Sequence, residues 1–190
     1  MLLSAFGRTQ FGPPPPASIE IQHRLAMRIA RAALDETRAM DSFWASLTRA
    51  TSRPLVSRRH KQFVAEHLAF FFSVTEGFLK QCLPKSNEGF FEELAADTCV
   101  HALPDTSIPR PYKYAGEHPA SRYVKYREAI MTRRVELWRV HPYATIGSLA
   151  DLSIEHLLGA AAMPRSMEGQ VANTLRSRLK WAGTELVGLL

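Results

Sequence analysis

Between Arg110 and Arg139 the chain alternates cations with aromatic rings: Tyr112, Lys113 and Tyr114, then Arg122, Tyr123, Lys125, Tyr126 and Arg127, then Arg133, Arg134, Trp138 and Arg139. Guanidinium and ammonium groups neutralise phosphates, and tyrosine or tryptophan rings offer flat faces on which unpaired bases stack. Eight basic residues of this segment meet three carboxylates, Glu117, Glu128 and Glu136, a net of +5 in a chain whose total is +6. Such a segment suits a polyanion, with Arg110, Lys113, Arg122, Lys125, Arg127, Arg133 and Arg134 on phosphates and Tyr123 or Tyr126 on bases. The competing reading is an amphipathic helix that turns its rings inward and leaves its arginines solvated.

A second constellation lies near the C-terminus. A short helix expected over Gly147 to Leu158 is followed by a turn and a longer helix starting at Ser166, on which Val171, Leu175, Leu179, Ala182 and Leu186 form an apolar stripe. At about 100° per residue, Asn173, Arg176 and Lys180 fall together on the opposite face, where they suit base-edge or phosphate contacts. Over roughly the last 45 residues this arrangement resembles the helix-turn-helix modules of mobile-element replication proteins, which implies DNA binding; the link Gly159 to Arg165 is longer than the 3–4-residue turn usual for the motif. An ordinary helical hairpin with a wetted polar face accounts for the same pattern.

A catalytic reading rests on histidines. His67 falls on an apolar helix face with His60 seven residues before it, and Asp97 and His101 are four residues apart, a spacing that can hold a metal on one helix face. A bundle of this length with an aromatic-rich second helix resembles the heme-oxygenase-like oxidases, which implies iron or heme. The pair of Glu-x-x-His motifs expected of a carboxylate-bridged di-iron bundle is absent, and a core or capping role for these histidines is the simpler expectation. There is no Gly-x-Ser-x-Gly elbow and no phosphate-binding Gly-x-x-x-x-Gly-Lys loop. Cys82 and Cys99 lack zinc-site spacing and an activating cation, and are expected to be buried free thiols of a reducing compartment. These considerations favour a non-catalytic protein without cofactor or resident metal.

The elements that must carry these residues are helices throughout. Composition is ordinary for a globular chain, 46% hydrophobic and 22% charged, and no alternating β-branched run is long enough for a strand. Residues 1–17, with Pro13 to Pro16, read as a flexible proline-rich tail. Residues 18–102 read as a helical core. Ser18 is placed to cap a first helix carrying Ile21, Leu25 and Ile29, continuing or restarting near Asp41-Ser42 through Met40, Trp44 and Leu47. A basic stretch from Thr48 to Lys61 leads to a second helix from Ser57 to Pro84, apolar nearly all round with Phe63, Val64, Leu68, Phe70, Phe71, Phe72, Val74, Phe78 and Leu79, and therefore central. A third runs from about Ser86 to Ala102. Residues 103–119 form a proline-rich connection, and 120–190 a basic helical module either separate or part of the same domain, opening with a helix from about Pro119 to Val140.

The expectation is an all-α bundle of about six helices around a phenylalanine-rich central one. The function expected is non-catalytic binding of nucleic acid, DNA or RNA, alone or as the basic subunit of a nucleoprotein complex. The alternative is an adaptor, inhibitor or chaperone meeting an acidic protein surface. The opening Met-Leu-Leu-Ser-Ala-Phe is too short for a signal peptide, and the most apolar run, Leu68 to Leu79, carries Glu76 and cannot span a bilayer. A cytoplasmic protein with no membrane partner is expected.

Overall fold

The computed structural model describes residues 16–51, 55–82, 88–103, 119–140, 145–161 and 165–190, and these form six helices and no strand. In chain order the helices are α1 (Pro16–Thr51), α2 (Leu55–Cys82), α3 (Glu88–Ala102), α4 (Pro119–Val140), α5 (Ile146–Ala161) and α6 (Arg165–Gly188). The tail before residue 16 and the connection 104–118, with Arg110, Tyr112, Lys113 and Tyr114, lie outside the described residues, as do the side chains of Trp138 and Arg139.

The run of phenylalanines dictates the centre. Phe63, Phe70, Phe71 and Phe72 are each at most 1% exposed, so α2 can satisfy them only by being enclosed. Each contributes about 1.5–3 kcal/mol by leaving water. Accordingly α2 packs against all five other helices. Around it the neighbours run α4, α3, α1, α6, α5, each touching the next. That series does not close: α4 and α5, at its two ends, have no comparable backbone packing, and a seam is left open over one side of α2.

One apolar cluster draws on both halves of the chain, joining Ile29, Phe71 and Leu94 to Ile130, Leu157 and Leu175. The C-terminal helices therefore share the core of the N-terminal ones. Gly183 helps: a Cβ there would stand 3.0 Å from Ile146 and 3.2 Å from the Phe70 ring, so the missing side chain lets α6 approach α5 and α2 closely.

Several expected boundaries shift. Of the two courses open at Asp41-Ser42 the first helix takes the continuous one, and buried Met40 and half-buried Phe43 keep its inward stripe in phase. Ser18, Ser57 and Ser166 lie inside helices that start one to two residues earlier. Gly159, expected just past the end of α5, is inside it, where Ala160 and Ala161 carry the helix on. The cap that does form at α5 is reciprocal: Ser148 N–H donates to Thr145 Oγ1 at 3.2 Å and Thr145 N–H donates to Ser148 Oγ at 2.9 Å.

Candidate functional site

The basic helix α4 must cover α2, and a helix with six cations and two carboxylates can do so only if some cations find partners inside. Arg133 and Arg134 are 2% and 6% exposed. Arg134 makes a bidentate pair with Glu76 of α2, Nε and Nη2 each donating at 2.9 Å, and Nη2 also donates to Glu88 of α3 at 2.7 Å. Lys80 closes a four-charge box by reaching Glu76 at 2.9 Å and Glu88 at 3.4 Å. The Phe72 and Phe91 rings lie 6.0 and 5.8 Å from the Arg134 guanidinium. Burial works against the Arg134 cation, but hydrogen bonds to and charges of Glu76 and Glu88 outweigh it and hold its pKa above the ordinary value. In return the Arg134 hydrogen bond holds the Glu88 carboxyl below the usual range, against a smaller opposing effect of burial.

The expectation that Arg133, Arg134 and Tyr126 meet a nucleic acid is corrected here. Both guanidiniums are committed to carboxylates of the fold, and the Tyr126 ring, fully buried, has no face on which a base could stack. Tyr123 is half-buried. The cations of α4 that do reach solvent divide between two flanks. Lys125 faces the open seam, whereas Arg127, about 160° away around the helix, bears on Cys99 of α3. The outward face between them carries exposed Val124, Glu128, Thr132 and Val135, and the half-buried Arg122 lies on the inner side of Lys125.

On α6, Asn173, Arg176 and Lys180 do share a face, and it turns toward α5. Arg176 donates to Asp151 of α5 at 2.5 Å and to Asn173 Oδ1 at 2.9 Å. The Lys180 stem crosses the first turn of α5 at Gly147, where a Cβ would come within 3.1 Å of its Cε. Arg178, on the other flank, donates to Glu36 of α1. Burial pushes the Glu36 carboxyl up, and Arg178 opposes that shift in part.

At the open seam the structure forms a cleft of about 280 Å³ that the sequence did not announce. Its floor is Gln62, Ala65 and Glu66 of α2, one wall is Lys125, Glu128, Ala129, Thr132 and Arg133 of α4, and the other is His156 of α5. Arg133 donates to Glu66 at 2.5 Å and to Glu136 at 2.6 Å. The His156 nitrogens stand 3.9 Å from Glu66 and 3.7 Å from Glu136, too far for hydrogen bonds. Glu66 and Glu76 were the available signal: two carboxylates on an apolar, central helix require cations from elsewhere.

Among the described residues, the histidines of the catalytic reading sit in separate places. His67 is fully buried and its Nδ1 lies 2.7 Å from Thr37 Oγ1, whose hydroxyl is 2.7 Å from the Ala33 carbonyl oxygen. The side chain of His60 lies outside the described residues. Asp97 and His101 do not pair with each other: Asp97 accepts from Gln22 at 2.8 Å, and His101 meets His23 of α1. Burial, and then His23, lower the His101 pKa, with Asp97 acting in the opposite direction. Of the cysteines only Cys99 is buried, and burial pushes its thiol up to about 12; Cys82, expected to be buried, is exposed at the end of α2. Among the described residues no helix is long and apolar enough to cross a membrane.

Comparison with protein-family models, with curated proteins and with solved structures finds no match to this chain.

Proposed function

We propose that this is a non-catalytic, nucleic-acid-binding helical protein whose contacts centre on a run of cations with no carboxylate among them. The observation that carries the reading is the charge at the junction of α1 and α2. In the sequence, residues 49–61 hold five cations, Arg49, Arg53, Arg58, Arg59 and Lys61, and no Asp or Glu. Elsewhere the excess is matched: the net +4 of α4 lies beside α3, which has four carboxylates, Glu88, Glu92, Glu93 and Asp97, and no Lys or Arg. Lys125 of α4, which lines the cleft together with Gln62, adds a cation beside the start of α2. The mechanism is phosphate neutralisation with counterion release, which specifies no sequence.

Fluorescence anisotropy with single-stranded DNA, duplex DNA and RNA at low and moderate salt tests it. Binding that weakens steeply with salt is expected, and Arg58→Ala/Arg59→Ala/Lys61→Ala should flatten the log–log salt slope by about 2–3. No binding to any of the three at low salt would sink the reading.

A second reading, an interaction module for a protein of mixed or acidic surface, is favoured by how the remaining exposed charges are interleaved. Arg24 pairs with Glu20, Arg31 and Arg38 flank Asp35, and Arg176 meets Asp151. Such alternation suits a protein face better than a continuous phosphate backbone. It predicts a stoichiometric complex that survives nuclease treatment.

A further inference from the structure

We propose that His23 of α1 and His101 of α3 form a binding site for a divalent transition-metal cation, of which zinc is the type, bridging the two helices. The inference stands apart from the nucleic-acid reading and rests on different residues.

His101 Nε2 and His23 Nδ1 stand 3.2 Å apart, with ring centroids 4.5 Å apart and ring planes at 70°. A tetrahedral zinc ion with Zn–N bonds of about 2.0–2.1 Å holds adjacent nitrogens about 3.4 Å apart. The pair is therefore pre-spaced to within a few tenths of an ångström. What must change is local: the ring now supplying a hydrogen takes its other tautomer, and both rings turn so that their lone pairs meet at one ion rather than at each other. The backbones need not move, because α1 and α3 are packed together and both contribute to the common core.

The surroundings fit an exchangeable site better than a closed one. His23 is exposed and His101 half-buried, so an ion has an entry path from solvent. Asp97, one turn before His101, adds negative potential beside the pair while its carboxylate accepts from Gln22. Among the described residues no three imidazole, thiol or carboxylate groups converge as a complete ligand set. Two imidazoles would thus be completed by water, which suits borderline ions that accept nitrogen donors and disfavours calcium and magnesium, which want oxygen. Occupation would clip the first helix to the third, replacing the single hydrogen bond between two rings 78 residues apart with two metal–nitrogen bonds.

The experiment is a zinc chloride titration of tag-free, chelator-treated full-length protein by calorimetry, with thermal unfolding in parallel. One equivalent should bind, and zinc at a hundredfold over its Kd should raise Tm by about 5–10 °C. His23→Ala and His101→Ala should each fold, since both rings reach solvent, and each should weaken binding at least tenfold while abolishing the Tm shift. Cys82→Ser should leave binding intact, which excludes the exposed thiol as the ligand. Absence of binding at millimolar zinc, binding that persists in His23→Ala, or binding lost in Cys82→Ser would each overturn the proposal, leaving the contact a hydrogen bond alone.

Discussion

Two basic helices of this protein use their cations in opposite ways. On α4, Arg133 and Arg134 turn inward and are consumed by Glu66, Glu76, Glu88 and Glu136. On α6, Arg176 and Lys180 remain at the rim of α5, and the apolar stripe of Val171, Leu175, Leu179 and Leu186 alone faces the core. Both helices read as basic along the chain, yet α4 buries two guanidiniums among carboxylates, whereas α6 commits only the partly exposed Arg178 to a buried one, Glu36. The difference arises because α4 has to cover the flank of α2 that carries Glu66 and Glu76. Positive charge counted along a segment is not a surface field until the carboxylates of its neighbours are subtracted.

That contrast can be broken in a graded way. The largest effect is expected at Arg134, whose loss takes the bidentate partner from the 3%-exposed Glu76 and leaves it Lys80 alone. Arg134→Ala should cost about 3–5 kcal/mol of stability in urea unfolding, whereas Arg134→Met combined with Glu76→Leu should restore most of it, since an apolar pair needs no desolvated charge. Arg133→Ala should cost less, about 1–3 kcal/mol, because Glu136 is partly open to water and can be resolvated. Neither change should lower nucleic-acid affinity beyond what unfolding explains, and a specific loss of binding by folded Arg133→Ala would reverse the account of α4. Arg176→Ala on α6, whose partner Asp151 is half-exposed, should change stability by under about 1 kcal/mol, measured the same way.

The smallest effect is a pH dependence at Glu88. Its folded pKa lies below the unfolded value, so its contribution is complete above the unfolded pKa and is lost as pH falls from there through the folded one. The Tm advantage of the native chain over Glu88→Gln should therefore be present near neutrality and vanish as the pH falls from the ordinary carboxylate pKa through the lowered one. An advantage that persists unchanged at the acid end would show that Arg134 does not discriminate the ionised carboxylate.

Much of the scaffold is legible in the residues alone. Enclosure of α2 follows from its phenylalanines, and the range Pro119–Val140 of α4 follows from the prolines that bracket it. The candidate site is less so. Asn173, Arg176 and Lys180 share a face as their spacing requires, but Arg133, Arg134 and Tyr126 stand on the inner side of α4, against the assignment that their residue types invite. The cleft is not legible, since Glu66, Arg133 and His156 come from three helices, and neither is the pairing of His101 with His23 in place of Asp97.

The division has a physical reason. Helix formation and amphipathicity are set within a few turns by residues three and four apart, so the sequence by itself determined an all-helical chain and its most apolar, hence central, member. The rotation of one helix against another is set by packing between segments remote in the chain. Arg134 meets Glu76 across 58 residues and Arg133 meets Glu66 across 67. Which cations are spent inside and which stay available to a partner was decided only when α4 closed over α2 and left the seam beside α5 open.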